Sequence, residues 1–352
     1  MRTVQVLLSS YNGENYIREQ LDSILNQEGV EIQLLIRDDG STDGTRSILA
    51  EYEQQWNNIS VIYGMNVGVI SSFFLLLEQA GEYPYIAFAD QDDVWLKQKL
   101  KRAVERIEQT VSRKRPRNSY DGIGKEYIEA IEYDSAKQSH HRTDVEKKYV
   151  KSVRNGYEKQ GQNVAPIVYC SAKRLVDAKL NPLPSPIKYP NVRAEFGNAL
   201  VENMCTGCTC VINQAMVQLL KGKQPTFTIM HDFWIYLVGT CFGTVIYDEE
   251  SYILYRQHGA NELGTATSVL ENYKRRIKNF KKHRGQLTKQ AEQLLILYGK
   301  CMPKEKKTVA TLFLQSKKDW NVRMKFLQQG TIFRQRKSDD VIMKLLFFCG
   351  LL

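Results

Sequence analysis

The sequence predicts an α/β fold: a mainly parallel central sheet flanked by helices. Strand-like and helix-like patterns alternate through the first hundred residues, the order that builds parallel sheets with helices on both faces. The strand-like runs are apolar and short, as buried strands are. Polar clusters follow the strand ends, where open α/β sheets bind their ligands.

Residues 3–9 are a β-rich apolar run, and residues 15–26 carry Ile17, Leu21, Ile24 and Leu25 at helical spacing. Residues 32–36 read as a buried strand, and Thr42 opens a helix containing Ile48 and Leu49. Residues 59–63 are a strand, 70–80 a helix rich in Phe and Leu, and 85–89 the next strand. From 112 to 165 the chain turns polar, rich in Lys, Tyr and Glu, and reads as an insertion, partly helical around 126–131. Residues 166–170 restart the core pattern, prolines 182, 184, 186 and 190 mark a loop, residues 202–212 look buried, and 232–238 form an aromatic-rich helix. Residues 252–255 are a strand. From Val269 the chain reads as helices with basic faces, ending in an amphipathic to apolar run at 341–348. The division expected is a catalytic domain over 1–264 and a basic helical extension over 265–352.

Composition narrows the class. Hydrophobic content of 43% and charged content of 25% are those of a globular protein. No signal-peptide pattern and no run of roughly 20 apolar residues is present, so a cytoplasmic location is expected. Seven irregularly spaced cysteines fit a reducing compartment. Cys205, Cys208 and Cys210 invite a zinc reading, but structural zinc wants four ligands; small apolar fillers are expected instead. Residues 265–352 hold 20 Lys and Arg against 6 Asp and Glu, whereas the remainder holds 29 against 33. The basic part therefore suggests peripheral contact with an anionic membrane surface. No nucleic-acid motif accompanies the charge, so nucleic acid is not an expected partner.

The acidic run Asp90-Gln91-Asp92-Asp93 follows the strand at 85–89. Carboxylates crowded at a strand end repel one another and are costly to desolvate. A hard cation such as Mg²⁺ or Mn²⁺ relieves that cost and shares its oxygen ligands with substrate phosphates. The loop Asp38-Asp39-Gly40-Ser41-Thr42-Asp43-Gly44 ends a strand and opens a helix that Ser41 or Thr42 can cap; a carboxylate there can accept the imide N–H of uracil or thymine. Calcium is the rival for this loop, but its spacing does not match an EF-hand. Tyr11 is placed to stack on a base. Asn66 and Gly68 would let the backbone approach a ribose or phosphate. Asp232, at the start of an apolar helix, could be a general base or only a carboxylate favoured by the helix dipole. His258 could ligate a metal, and Arg256 could neutralise diphosphate charge. Asp93 is expected to cap a helix beginning at Val94.

These segments together resemble a family 2 glycosyltransferase with the GT-A fold, over residues 1–111 and 166–264. The HDFW and YRQHGAN strings at 231–234 and 255–261 resemble the subgroup that transfers rhamnose or related sugars to bacterial surface polysaccharides. The resemblance implies that Ser9, Tyr11 and Asp39 hold the nucleoside, that Asp90 contacts the ribose or helps position the metal, and that Asp92 is the metal ligand. It implies Asp232 as base of a single-displacement, inverting reaction, with Arg256 and His258 closing over the diphosphate. The donor implied is a TDP-linked deoxyhexose, with UDP-hexose or UDP-N-acetylhexosamine next, and the acceptor a glycan or lipid-linked saccharide. The chain departs from many members in having His231 where they have Glu, in the length of its 112–164 segment, and in a tail that the core motifs do not determine. A nucleotidyltransferase is disfavoured because no Gly-rich phosphate loop with a basic residue follows the first strand. A non-catalytic module would not need the intact acid set.

Overall fold

The computed structural model of the chain describes residues 1–113, 165–184, 189, 191–257 and 285–351. The first half runs β1 (Arg2–Ser10), α1 (Ile17–Leu25), β2 (Val30–Asp38), α2 (Thr45–Gln55), β3 (Ile59–Tyr63), α3 (Val69–Gln79), β4 (Tyr85–Ala89), β5 (Val94–Trp95) and α4 (Lys99–Arg113). The second runs β6 (Ile167–Val176), α5 (Phe196–Ala199), a 3₁₀ turn (Gly207–Thr209), β7 (Val211–Asn213), α6 (Gln214–Leu220), α7 (His231–Phe242) and β8 (Thr244–Arg256). Four helices follow: α8 (Gln286–Tyr298), α9 (Lys304–Gln315), α10 (Trp320–Gln328) and α11 (Lys337–Phe348).

One eight-stranded sheet has the order β3-β2-β1-β4-β7-β6-β8-β5. Strands β3, β2, β1 and β4 are parallel, as the alternating pattern requires. Beyond them β7 pairs antiparallel with β4 and β6, and β6 and β8 run parallel. In register, Ser9 lies opposite Arg37 on one side, and Leu8 opposite Ala89 on the other. The polar residues that follow β1, β2 and β4 thus emerge at one edge of the sheet. Both faces are covered: Val4, Val6, Leu8 and Ile36 pack in one apolar cluster, and Leu7, Leu35 and Phe88 in the other.

Three expectations are corrected. Val94 does not begin a helix: Val94 and Trp95 pair antiparallel with Leu254 and Ile253 as an edge strand, and the helix starts at Lys99. Asp93 is therefore not a cap; its Oδ1 accepts the Arg256 backbone N–H at 3.1 Å. Helix α2 opens at Thr45 rather than Thr42. Neither Ser41 nor Thr42 caps it; Asp43 Oδ1 accepts Thr45 N–H at 3.0 Å, while Ser41 Oγ accepts the Asn12 N–H at 2.9 Å. Residues 112 and 113 end α4 instead of starting an insertion; residues 114–164, the helix expected at 126–131 and His258 lie outside the described residues.

The C-terminal helices do not form a core of their own. Leu294, Tyr298, Phe313, Phe326, Met343 and Phe347 belong to the cluster that holds Trp234, Tyr236 and Phe73. Polar contacts fix the same junction. Gln290 Oε1 accepts Thr228 Oγ1 at 2.8 Å and the Ile229 N–H at 3.0 Å, and Tyr298 Oη donates to Leu219 O at 2.9 Å. Among the described residues no helix is long and apolar enough to cross a membrane. At Gly197 in α5, a Cβ would lie 1.8 Å from Thr331 O. Gly197→Ala should therefore cost about 1–3 kcal/mol by forcing the backbone of residue 331 away. A lowered urea midpoint checks this; an unchanged midpoint would mean that the segment before α11 is not seated on α5.

Candidate active site

A cavity of about 320 Å³ opens beyond the carboxyl ends of β1, β2 and β4, lined by Ser9, Tyr11, Asp39, Asn66, Gly68, Val69, Asp90, Gln91, Asp92, Tyr255 and Arg256. The structure thus gathers Ser9, Tyr11, Asp39, Asn66, Gly68, Asp90, Asp92 and Arg256, which sequence reasoning named, around one space. Gln91, Val69 and Tyr255 are additions.

The three acids of the DDGSTDG loop divide their work. Asp38 Oδ2 accepts Gly40 N–H, Ser41 N–H and Arg46 Nε at 3.2, 3.1 and 2.7 Å, which shapes the turn. Gly40 sits at φ +85°, and a Cβ there would lie 2.8 Å from Asn66 N, so the turn requires glycine. Asp43 Oδ1 accepts the Thr45 N–H at the start of α2. Only Asp39 faces the cavity, and it is held firmly: its oxygens accept Val67 N–H and Gly68 N–H, each at 2.9 Å, and Oδ1 pairs with the buried Arg37 guanidinium. Arg37 also donates to Ser72 Oγ at 3.1 Å and Met65 O at 3.0 Å; Ser72 Oγ lies 2.6 Å from Ser9 Oγ. Arg37 carried no motif signal, because Met65 and Ser72, two of its partners, lie far from it along the chain.

Gln91 fixes the Tyr11 loop. Its Oε1 accepts Tyr11 N–H at 2.8 Å and Ser10 Oγ at 2.9 Å, and its Nε2 donates to Tyr11 O at 3.0 Å. The Tyr11 ring is left exposed at the cavity.

The acidic run is the electrostatic centre. Burial, then the charges of Asp93, Asp92 and Asp232, pushes the Asp90 carboxyl well above the usual carboxylate range. Asp93 is 1% exposed, and burial followed by the Asp92 charge raises it to about 7. Among the described residues Asp93 Oδ2 has no hydrogen-bond partner. Candidate ligand atoms of Asp90, Asp93 and Cys208 lie within 4.8 Å of one another. The two carboxylates of this group suit a hard divalent cation, which would offset the charge that burial penalises, while Cys208 adds a soft thiol and Asp92 lies outside the group. The zinc reading of the cysteines is not supported: Cys205, Cys208 and Cys210 are all buried, and Cys205 and Cys210 lie outside that group.

Positive charge is distributed unexpectedly. Arg256 lines the cavity, but its guanidinium donates from Nε to Asp92 O at 2.7 Å and from its other nitrogens to Ala178 O and Glu19 Oε2, and it lies over the Tyr16 ring. It clasps the acidic run from behind. Lys173 is the cation whose charge lowers Asp90 and Asp93, and its Nζ sits 4.1 Å from the centroid of Tyr255. It lies where the β6–β8 register shifts, a local irregularity that re-aims a side chain and leaves no motif in the sequence. Lys99 is buried with its Nζ 3.5 Å from the Trp95 ring centroid, and burial lowers it to about 8.

Asp232 opens α7. Its charge acts on Asp90, which joins the two halves of the site. Asn203 Nδ2 donates to Oδ1 at 3.0 Å and Gly207 N–H to Oδ2 at 2.8 Å, so the carboxylate is fixed while keeping lone pairs. His231 points elsewhere: its ring stacks on Phe73 at 4.0 Å, neither nitrogen has a partner among the described residues, and burial lowers its pKa.

Residues 5–157 match the family model described as Glycosyl transferase family 2. The chain carries a family 2 glycosyltransferase domain. A protein named dTDP-rhamnosyl transferase RfbG, from Shigella flexneri, is 27% identical over 301 residues, 82% of this chain and 84% of that protein. The putative teichuronic acid biosynthesis glycosyltransferase TuaG of Bacillus subtilis (strain 168) is 41% identical over 103 residues, 29% of this chain and 40% of its own length. Among solved structures, S. aureus TarS 1-349 in complex with UDP-GlcNAc superposes with a TM-score of 0.51 at 15% identity, covering 90% of this chain and 72% of that one. The glycosyltransferase accordingly has the GT-A arrangement of sheet and flanking helices, with a helical C-terminal region.

The acid cluster gives the metal-free glycosyltransferase a pH signature. Asp93 and Asp90 have folded-state pKa values above their unfolded ones. The folded state therefore binds more protons, and stability falls as pH rises from about 4 to about 7. Asp93→Asn should flatten that slope by on the order of 1 kcal/mol per pH unit. Thermal melts between pH 5 and 7.5 measure it; parallel pH profiles for the two proteins would contradict the burial assigned to Asp93.

Proposed function

We propose that this glycosyltransferase moves a deoxyhexose, rhamnose first, from a TDP-linked donor to a hydroxyl of a glycan or lipid-linked saccharide in cell-surface polysaccharide assembly. The observation that carries the reading is the single cavity that joins the strand-end residues to the acidic run, with the fixed Asp232 carboxylate acting electrostatically on it. The choice of donor is supported by the name of the Shigella flexneri relative, whose match spans most of both chains.

In this reading Tyr11 stacks on the base and Asp39 accepts the imide N–H, which uracil and thymine share. Asn66 and the open backbone at Gly68, φ +82°, face the ribose. Asp92, with Asp90 beside it, holds Mg²⁺ or Mn²⁺; when bound, the ion offsets negative charge on the departing nucleoside diphosphate. Arg256 locks the run in place through Asp92 O and the Glu19 pair. Lys173, seated over the Tyr255 ring, supplies positive charge beside the acidic run. Asp232 removes the proton from the acceptor hydroxyl as that oxygen attacks the anomeric carbon, and the configuration inverts. Asn203 and Gly207 aim the carboxylate and leave a lone pair for that proton.

Asp232→Asn keeps both contacts in shape but removes the base. It should lower kcat by about 10²–10⁴-fold while donor binding is retained. Release of nucleoside diphosphate from dTDP-rhamnose, with and without EDTA, reads this out. Undiminished turnover in the variant would remove Asp232 from the reaction. A preference for UDP-hexose or UDP-N-acetylhexosamine in the same assay would overturn the donor assignment, and activity undiminished by EDTA would overturn the metal.

A further inference from the structure

We propose that α10 and α11 form a seat for an anionic lipid bilayer surface. On α11, Val341, Leu345 and Phe348 stand four and three residues apart, so they share one face. They are 57%, 59% and 41% exposed. The opposite face is committed: Met343 and Phe347 are buried, and Phe347 stacks on Phe313 with centroids 5.9 Å apart. The helix is thereby fixed in rotation, with its second apolar stripe turned to water. Trp320, 50% exposed at the start of α10, meets Phe348 edge-on at 4.8 Å and extends the stripe onto a second helix. An apolar strip of this kind, continuous across two helices and ending in a tryptophan, matches the interface between water and acyl chains, where an indole is accommodated best.

Charge selects the partner. Arg323 donates to Ser316 O at 2.7 Å, Lys317 O at 2.9 Å and Phe348 O at 3.3 Å, which ties the turn carrying Lys317 and Lys318 to the end of α11. Both lysines are exposed beside Trp320. The acid in that turn, Asp319, caps α10 through Asn321 N–H at 2.8 Å and Val322 N–H at 3.2 Å. Asp339 and Asp340 lie at the far end of α11, where Lys344 Nζ is 2.7 Å from Asp340. A second copy would bring the same basic rim against itself, whereas anionic headgroups complement it. The seat places the enzyme at the surface where lipid-linked saccharides reside, but it rests on the C-terminal face alone and not on the donor.

Sedimentation with sucrose-loaded vesicles tests it. The full chain should bind vesicles containing about one third phosphatidylglycerol about tenfold better than phosphatidylcholine alone. Leu345→Glu and Trp320→Ser replace exposed side chains; each should lose about tenfold in vesicle binding with melting temperature and donor binding unchanged. Equal sedimentation of the variants, or none of the full chain, would overturn the proposal. So would a dimer dispersed by Leu345→Glu in a protein that ignores vesicles. Because no sugar transfer is read, failure here leaves the catalytic assignment standing.

Discussion

The constraint on which the structure depends is the crowding of Asp90, Asp92 and Asp93 at the end of a buried strand. Placing three carboxylates together in a low-dielectric setting costs free energy unless protons or cations share the space. The surroundings answer that demand in layers. Arg256 reaches the run from behind and anchors Asp92 O and Asp93 Oδ1. Lys173 lowers Asp90 and Asp93 from the side, and Lys99 lies buried beneath. What these groups leave uncompensated is negative charge that a divalent ion would offset in the proposed reaction.

The same constraint links the two halves of the chain. The stretch from Asn203 to Cys210 passes between the acids: Asn203 and Gly207 hold Asp232, while Cys208 lies against Asp90 and Asp93. Helix α7, which carries Asp232, is in turn braced by the C-terminal helices, since Trp234 and Tyr298 pack with centroids 6.3 Å apart in one continuous core. The basic tail is thus part of what positions the proposed base, and its outer face is free to carry the apolar stripe.

Much of this was legible from sequence where the physics is local. The runs of β1, β2 and β4 are apolar because both sheet faces are buried, so strand and helix alternation read cleanly. The polar clusters marked the strand ends, and those residues do line one cavity. Errors arose where the partner is distant. Asp93 before Val94 looks like a helix cap, but Val94 pairs with Leu254, 160 residues away. Distance also hid the contacts of Arg256, whose guanidinium reaches Glu19 and two carbonyls. Ser41 and Thr42 are good capping residues, but Asn12 engages both, and the helix starts later, with Asp43 bonded to Thr45 N–H. Arg37, Gln91 and Lys173 left no signal, because each matters through contacts that only the folded chain creates. The charge change near 264 was legible, whereas the packing of the C-terminal helices onto the preceding core was not.

The most direct test of the account is calorimetric binding of Mn²⁺ in the presence of dTDP, at pH 6 and at pH 8, for the native chain and for Asp92→Asn. Crowded, partly protonated carboxylates predict tighter binding and less proton release at pH 8 than at pH 6, with binding weakened by at least about tenfold in the variant. Affinity that is the same at both pH values, or untouched by Asp92→Asn, would contradict the claim that the acidic run is built around a cation.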